Sequence, residues 1–171
     1  MAIKEGWRGR FFEDFEIGDV YQHQLGRTLS EADNTWFTLL TMNTNPMHFD
    51  ANYAEQSEFG RLLVNSGLTI ATVLGMTVSD TSQNAFANLG IEDLNLTHPI
   101  FVGDTIYAET KVLEKRESSS RPFAGIVSFA SRGLNQDGDV FMTYKRKVYI
   151  YKRDADGAKS VFPQSEKDWF A

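Results

Sequence analysis

Apolar residues follow two different rhythms along the chain, helical spacing before about Phe86 and frequent alternation after it. Phe11 to Asp19 reads as an entry loop anchored by Phe12, Phe15 and Ile17, and Val20 to Leu29 has strand character. Ser30-Glu31-Ala32-Asp33 matches a capping box, in which the Ser30 hydroxyl caps a free N–H while Asp33 reaches back. Trp36, Phe37, Leu39 and Leu40 then suit the apolar face of a short helix. Asn43 to Pro46 ends it, because the residue before a proline is pushed out of the helical region. Asp50 is placed to cap a second short helix through Gln56, terminated by Gly60. Ser66 caps the most apolar helix, Gly67 to about Val78. Leu68, Ile70, Ala71, Val73, Leu74, Met76 and Val78 cover nearly every side of it, so it is expected to be buried.

Past Phe86, Ile106/Ala108/Val112, Ile126 to Ala130 and Val140 to Tyr151 carry β-branched and aromatic residues with the alternation of strands. Asn135-Gln136-Asp137-Gly138 supplies a turn between the last two, and Pro99 with Val102-Gly103-Asp104 a corner entering a long strand. The tail from Lys152 to Ala171 is polar until Trp169-Phe170 and is expected on the surface. One helix wrapped by a curved antiparallel sheet satisfies this order with a single core. The expected class is α+β, one domain over residues 1–171 with its core at about 11–151.

Composition narrows the chemistry. A chain of 171 residues that is 42% hydrophobic can bury one sizeable core. It has no cysteine, which removes disulfides, thiolate metal sites and cysteine nucleophiles together. A net charge of −6 argues against a general nucleic-acid binder, although a small anionic ligand needs only two or three local cations. No apolar run has the length of a membrane span, and Met1 to Arg10 is polar and unlike a signal peptide, so a cytoplasmic location is expected. No histidine pair has metal-ligand spacing, and neither metal nor cofactor is expected.

Reactive side chains are densest in Asn43-Thr44-Asn45-Pro46-Met47-His48-Phe49-Asp50, a proline-fixed loop between two short helices. His48 can take or give a proton near neutrality. Asp50 can orient it or simply cap the next helix, and a structural, hydrogen-bonded histidine remains the alternative to a catalytic one. His23 sits in a polar strand and is expected to be solvated, while His98, before Pro99, is expected to be structural. Ser66-Gly67 opens the apolar helix, where free N–H groups can hold a developing oxyanion, unless they form an ordinary cap. Lys115-Arg116, Arg121 and Lys145-Arg146-Lys147 fit a solvated strand face better than a phosphate site.

Taken together, Asn43 to Asp50, Tyr53-Ala54, Phe59-Gly60 and Val64-Asn65-Ser66-Gly67 resemble the hydratase motif of the MaoC-like and (R)-specific enoyl-CoA hydratases. Phe12-Glu13-Asp14-Phe15 with Ile17-Gly18-Asp19 resembles that family's opening, and Pro99 with Gly103-Asp104-Thr105 its strand entry. Leu40 to Pro46, Ser82-Gln83-Asn84-Ala85 and Glu117 to Pro122 are most similar to its mesaconyl-CoA and itaconyl-CoA hydratase branch. The resemblance covers about Phe11 to Tyr151. It implies a hot-dog fold built on the Gly67–Val78 helix, a homodimer or higher homo-oligomer, and an acyl-CoA thioester substrate. It further implies a hydro-lyase with His48 as acid/base and Gly67 as oxyanion donor, helped by Ser66 and Asn45 in holding substrate. The family's catalytic Asp is Asn43 here, an amide that can hold water but cannot accept a proton at neutral pH. Either His48 works alone, or another carboxylate substitutes, with Asp50 nearest and Glu31 and Asp33 behind it, or the enzyme is weak or inactive; a short substrate with its own carboxylate, of the mesaconyl type, would in turn suit neutral Asn43 better than Asp. A hot-dog thioesterase or a non-catalytic acyl-CoA-binding subunit are the competing functions.

Overall fold

The computed structural model describes residues 4–159, 161–163 and 165–167; Trp169 and Phe170, expected on the surface, lie outside them. Six strands and three helices follow in the order β1 (Val20–Gln22), β2 (Arg27–Thr28), α1 (Glu31–Leu40), α2 (Ala51–Glu55), α3 (Ser66–Thr81), β3 (Ala85–Leu96), β4 (Thr105–Glu117), β5 (Ala124–Leu134) and β6 (Val140–Tyr151). All pairs are antiparallel, in the order β1-β4-β5-β6-β3, with β2 also on β4. The long α3 lies against the inner face of this sheet. The expected α+β architecture, one long helix against a curved antiparallel sheet, is present.

Local expectations held where local chemistry decides. The Ser30 hydroxyl accepts from Asp33 N at 3.1 Å, and Asp33 accepts from Ser30 N at 3.0 Å, completing the capping box. Asp50 caps α2 by accepting from Tyr53 N at 3.0 Å. The cap of α3, however, is Asn65 rather than Ser66: the Asn65 side chain accepts from Gly67 N.

Long-range packing changed the rest. The expected strand Val20–Leu29 is broken into β1 and β2, and β3 is a long edge strand that alternation did not announce. Of the entry-loop anchors, Phe12 and Phe15 are buried but Ile17 is exposed. Phe15 meets the edges of Phe129 and Tyr21, with ring centroids 5.4 and 6.1 Å away. Gly125 makes room for Phe12, since a Cβ there would lie 2.1 Å from its ring. The short segment Asp156–Ala158 packs back on Phe11 and Tyr151, so the start of the tail is anchored rather than free.

Helix α3 is not buried all round. Thr69, Val73, Thr77 and Thr81, four residues apart, form its buried ridge, while Ala71, Gly75 and Val78 are exposed. Threonines tolerate this burial because their hydroxyls bond back to the preceding turn, Thr77 to Leu74 O at 2.8 Å and Thr81 to Thr77 O at 2.6 Å. Gly133 lets the ridge approach the sheet, since a Cβ there would meet Val73 at 3.0 Å and Phe141 at 2.5 Å.

His23, expected in solvent, is buried. Its Nδ1 donates to Asp80 Oδ2 at 2.9 Å and its Nε2 meets Thr110 Oγ1 at 2.9 Å. Arg10 donates to the other Asp80 oxygen at 2.8 Å. Arg146 likewise turns inward to Thr81 and Ser82, unlike Lys145 and Lys147, which pair with Asp93 and Glu92 on the solvated face. Burial pushes the Asp80 carboxyl up, but the hydrogen bonds and charges of His23 and Arg10 outweigh it and hold the group below its ordinary range. A lowered value in the folded state means that the ionised Asp80 stabilises the fold above the unfolded-chain value of ~3.9 and stops doing so as pH falls through the folded value. The melting temperature of the wild type should therefore exceed that of Asp80→Asn at pH 6, with the gap closing as pH is lowered past ~3.9. A gap independent of pH would contradict the assignment.

Candidate active site

The loop after α1 is pinned by its own amides. The Asn43 backbone N–H donates to Thr38 O at 3.0 Å, and Asn43 Oδ1 accepts from Asn45 N at 3.0 Å. Asn45 Oδ1 in turn accepts from Met47 N at 3.1 Å, capping the 3-10 turn Pro46–His48. The Asn43 oxygen is thus engaged within the loop, and its NH2 is the group left to donate.

His48 is 8% exposed. Its Nδ1 lies 2.9 Å from Leu63 O. A carbonyl can only accept, so Nδ1 carries the hydrogen, and in the neutral ring the lone pair is on Nε2. Asp50 does not orient the ring; it caps α2, and the main-chain carbonyl of Leu63 holds that place. Leu63 N donates to Met47 O at 3.2 Å and Val64 N to Ile100 O at 2.8 Å, so three distant segments are laced together at the histidine.

Three residues beyond Leu63, α3 begins. Gly67 N–H donates to Asn65 Oδ1 at 2.9 Å, so the expected oxyanion donor already has a side-chain partner. Ser66, at the first helical position, is exposed and lines a cleft of about 270 Å³ with Phe59, Leu63, Thr69, His98 and Phe141. His98 is therefore exposed at this cleft. A larger concavity of about 730 Å³ lies across the sheet among Glu109, Lys111, Arg132 and Lys145, with no residue of the histidine loop in its lining, and we place the chemistry at the smaller cleft, which Leu63 and Ser66 line. Among the described residues, no group of three His, Asp or Glu is placed to hold a metal ion, and no helix is long and apolar enough to cross a membrane.

The sequence family described as mesaconyl-CoA hydratase matches residues 3–168. The chain belongs to this family. A mesaconyl-CoA hydratase of Cereibacter sphaeroides is 34% identical over 85% of the chain and 42% of its own length. The solved structure of a MaoC domain dehydratase from Chloroflexus aurantiacus superposes with a TM-score of 0.83 at 30% identity, covering 97% of this chain and 46% of that one. A Mycobacterium tuberculosis protein with a double hot-dog fold superposes at 0.79 with 20% identity over 94% of this chain and 53% of that one, which establishes the hot-dog fold here. The chain spans about two fifths of the length of the curated mesaconyl-CoA hydratases it matches.

Sequence reasoning named His48, Asn43, Asp50, Asn45, Ser66 and Gly67; the structure ties His48 through Leu63 O to the segment that runs into the Asn65 cap, Ser66 and Gly67, while Asn43, Asn45 and Asp50 are bonded within their own loop and the turns that follow it. It missed the Leu63 carbonyl and the buried face of α1. That face is inverted: Asn34 and Thr38 are buried, while Trp36 is 69% and Leu40 76% exposed. The expected apolar stripe points outward. A polar pair four residues apart beneath an exposed aromatic is the signal that was available for it.

Proposed function

We propose that this chain is an acyl-CoA hydro-lyase that adds water to a short, dicarboxylic enoyl thioester of the mesaconyl-CoA or itaconyl-CoA type. The observation that carries the proposal is the buried His48, whose Nδ1–H is fixed on the carbonyl of Leu63, two residues before the Asn65 cap of α3. Nε2 takes a proton from water as the hydroxyl oxygen bonds to the β-carbon. The alkene electrons move toward the thioester carbonyl, and the oxyanion is held by N–H groups at the helix start, where the dipole is positive. The imidazolium then returns its proton to the α-carbon, so atoms and charge balance with one residue. Ser66 N–H is the donor without a partner among the described residues, and Gly67 N–H joins when the substrate oxygen displaces Asn65 Oδ1.

Asn43 contributes its NH2 to orient water. A neutral amide also suits a substrate carrying its own carboxylate, which an Asp at this position would repel. Comparing kcat/KM for crotonyl-CoA and mesaconyl-CoA in the wild type and Asn43→Asp tests this. The wild type should prefer mesaconyl-CoA and the variant should move toward crotonyl-CoA; an unchanged ratio contradicts the role given to Asn43.

The partner we propose is a second copy of the chain, giving at least a homodimer. Leu89, Ile91, Leu94 and Leu96 are exposed on the edge strand β3, and the Mycobacterium tuberculosis protein of about twice this length has a double hot-dog fold. Sedimentation should find a dimer, and a monomer at working concentration would overturn that assignment. A cytoplasmic location is part of this reading, and a CoA thioester substrate supports it. A second reading, an acyl-CoA-binding subunit without turnover, is favoured by the engaged Asn43 oxygen. A thioesterase lacks its carboxylate in Asn65-Ser66-Gly67.

A further inference from the structure

We propose that Asn34 is a positioning residue that holds His48 in its proton-accepting form; this rests on the reading of His48 as the acid/base. Asn34 is fully buried in α1. Its Nδ2 donates to His48 O at 2.8 Å and to Leu63 O at 3.1 Å, and its Oδ1 accepts from Asn65 N at 2.8 Å. One side chain therefore ties together the base, the carbonyl that takes the base's Nδ1–H, and the cap of α3. Both amide hydrogens and the oxygen are used, all on main chain. Aspartate keeps the shape and the acceptor but not the two donors, and glutamine is one methylene too long.

Thr38, one turn further along α1, completes the clamp. Its hydroxyl accepts from Asn65 Nδ2 at 3.1 Å, which turns Asn65 Oδ1 toward Gly67 N. This accounts for the inverted helix: α1 presents its polar pair inward because that pair builds the site. The Leu63 carbonyl fixes the His48 tautomer only while it stays aimed at Nδ1, and Asn34 Nδ2 helps to hold it there by donating to the same oxygen at 3.1 Å. Partners that orient a metal-bound imidazole at one remove typically alter activity by ~10–100-fold, and an effect of that order is expected for this metal-free imidazole.

The experiment uses Asn34→Asp and Asn34→Ala, with thermal melting to establish folding. Ring-nitrogen NMR is recorded on protein carrying ¹⁵N-labelled histidine, and kcat and KM are measured with an enoyl-CoA. The chain has three histidines, and His48→Ala assigns the His48 signals by their loss. The wild type should show His48 with a protonated Nδ1 and a bare Nε2. In the variants the ring signals should move toward a mixture of tautomers, and kcat should fall ~10–100-fold with KM changed by less than ~3-fold. Folded variants that keep the wild-type ring signature, even if slower, would overturn the proposal. So would turnover within ~2-fold of wild type, or failure of both variants to fold, which would make Asn34 a scaffold residue. Turnover surviving in His48→Ala would instead remove the functional reading, while the NMR result would still decide whether Asn34 holds the ring.

Discussion

Replacing His48 with alanine is expected to lower turnover of an enoyl-CoA by at least ~10²–10⁴-fold, the usual contribution of a positioned proton-transfer group. The loss belongs at the upper end, because the carboxylate that shares this work in the resembling hydratases is Asn43 here, and Asn43 Oδ1 already accepts from Asn45 N. Asp50 cannot step in from its present place, since its carboxylate caps α2 through Tyr53 N. The substrate's affinity should change little, because the imidazole is one group among the many that hold a CoA thioester. Calorimetric binding of a non-reactive acyl-CoA, read beside kcat, separates the two effects. Turnover within ~10-fold of wild type would return His48 to a structural role and remove the proposed mechanism.

The second large effect falls on stability. Phe15→Ala should cost about 3–5 kcal/mol, the range for emptying a fully buried aromatic site. Phe15 is fully buried in the cluster of Phe12, Val112, Val127, Phe129, Val148 and Ile150, and its carbonyl accepts from Lys115 Nζ at 2.8 Å. The segment around it has only the 3-10 turn Phe12–Asp14 as regular structure, and Phe15, with the buried rings of Phe11 and Phe12, anchors it. A measured cost below ~1 kcal/mol would mean that the pocket collapses around the gap or that the entry loop is not part of the cooperative fold.

The reach of the sequence follows the range of each interaction. The capping box at Ser30, the Asp50 cap and the proline-fixed loop were legible because donor and acceptor lie within four residues. The burial of His23 was not, because its partner Asp80 is 57 residues away and no feature of Tyr21-Gln22-His23-Gln24 announces it. The facing of α1 was misjudged for a related reason. Trp36, Leu39 and Leu40 define an apolar stripe by themselves, yet Asn34 and Thr38 have bonding partners at His48, Leu63 and Asn65 that only the folded chain supplies. Of the candidate site, the side chains that could do chemistry were readable as a dense motif. The Leu63 carbonyl that sets the tautomer was not, since every residue has one. The Asn65 cap was hidden by the better-known preference for Ser66.

The most direct test of the central claim is to follow the ultraviolet absorbance of the conjugated enoyl thioester in mesaconyl-CoA or itaconyl-CoA with purified protein, while assaying free thiol in the same samples. Loss of absorbance without thiol release, abolished in His48→Ala, is the predicted result. Stoichiometric thiol release would identify a thioesterase. Unchanged absorbance with every enoyl-CoA, despite measurable CoA binding, would contradict a hydro-lyase and leave a binding subunit in its place.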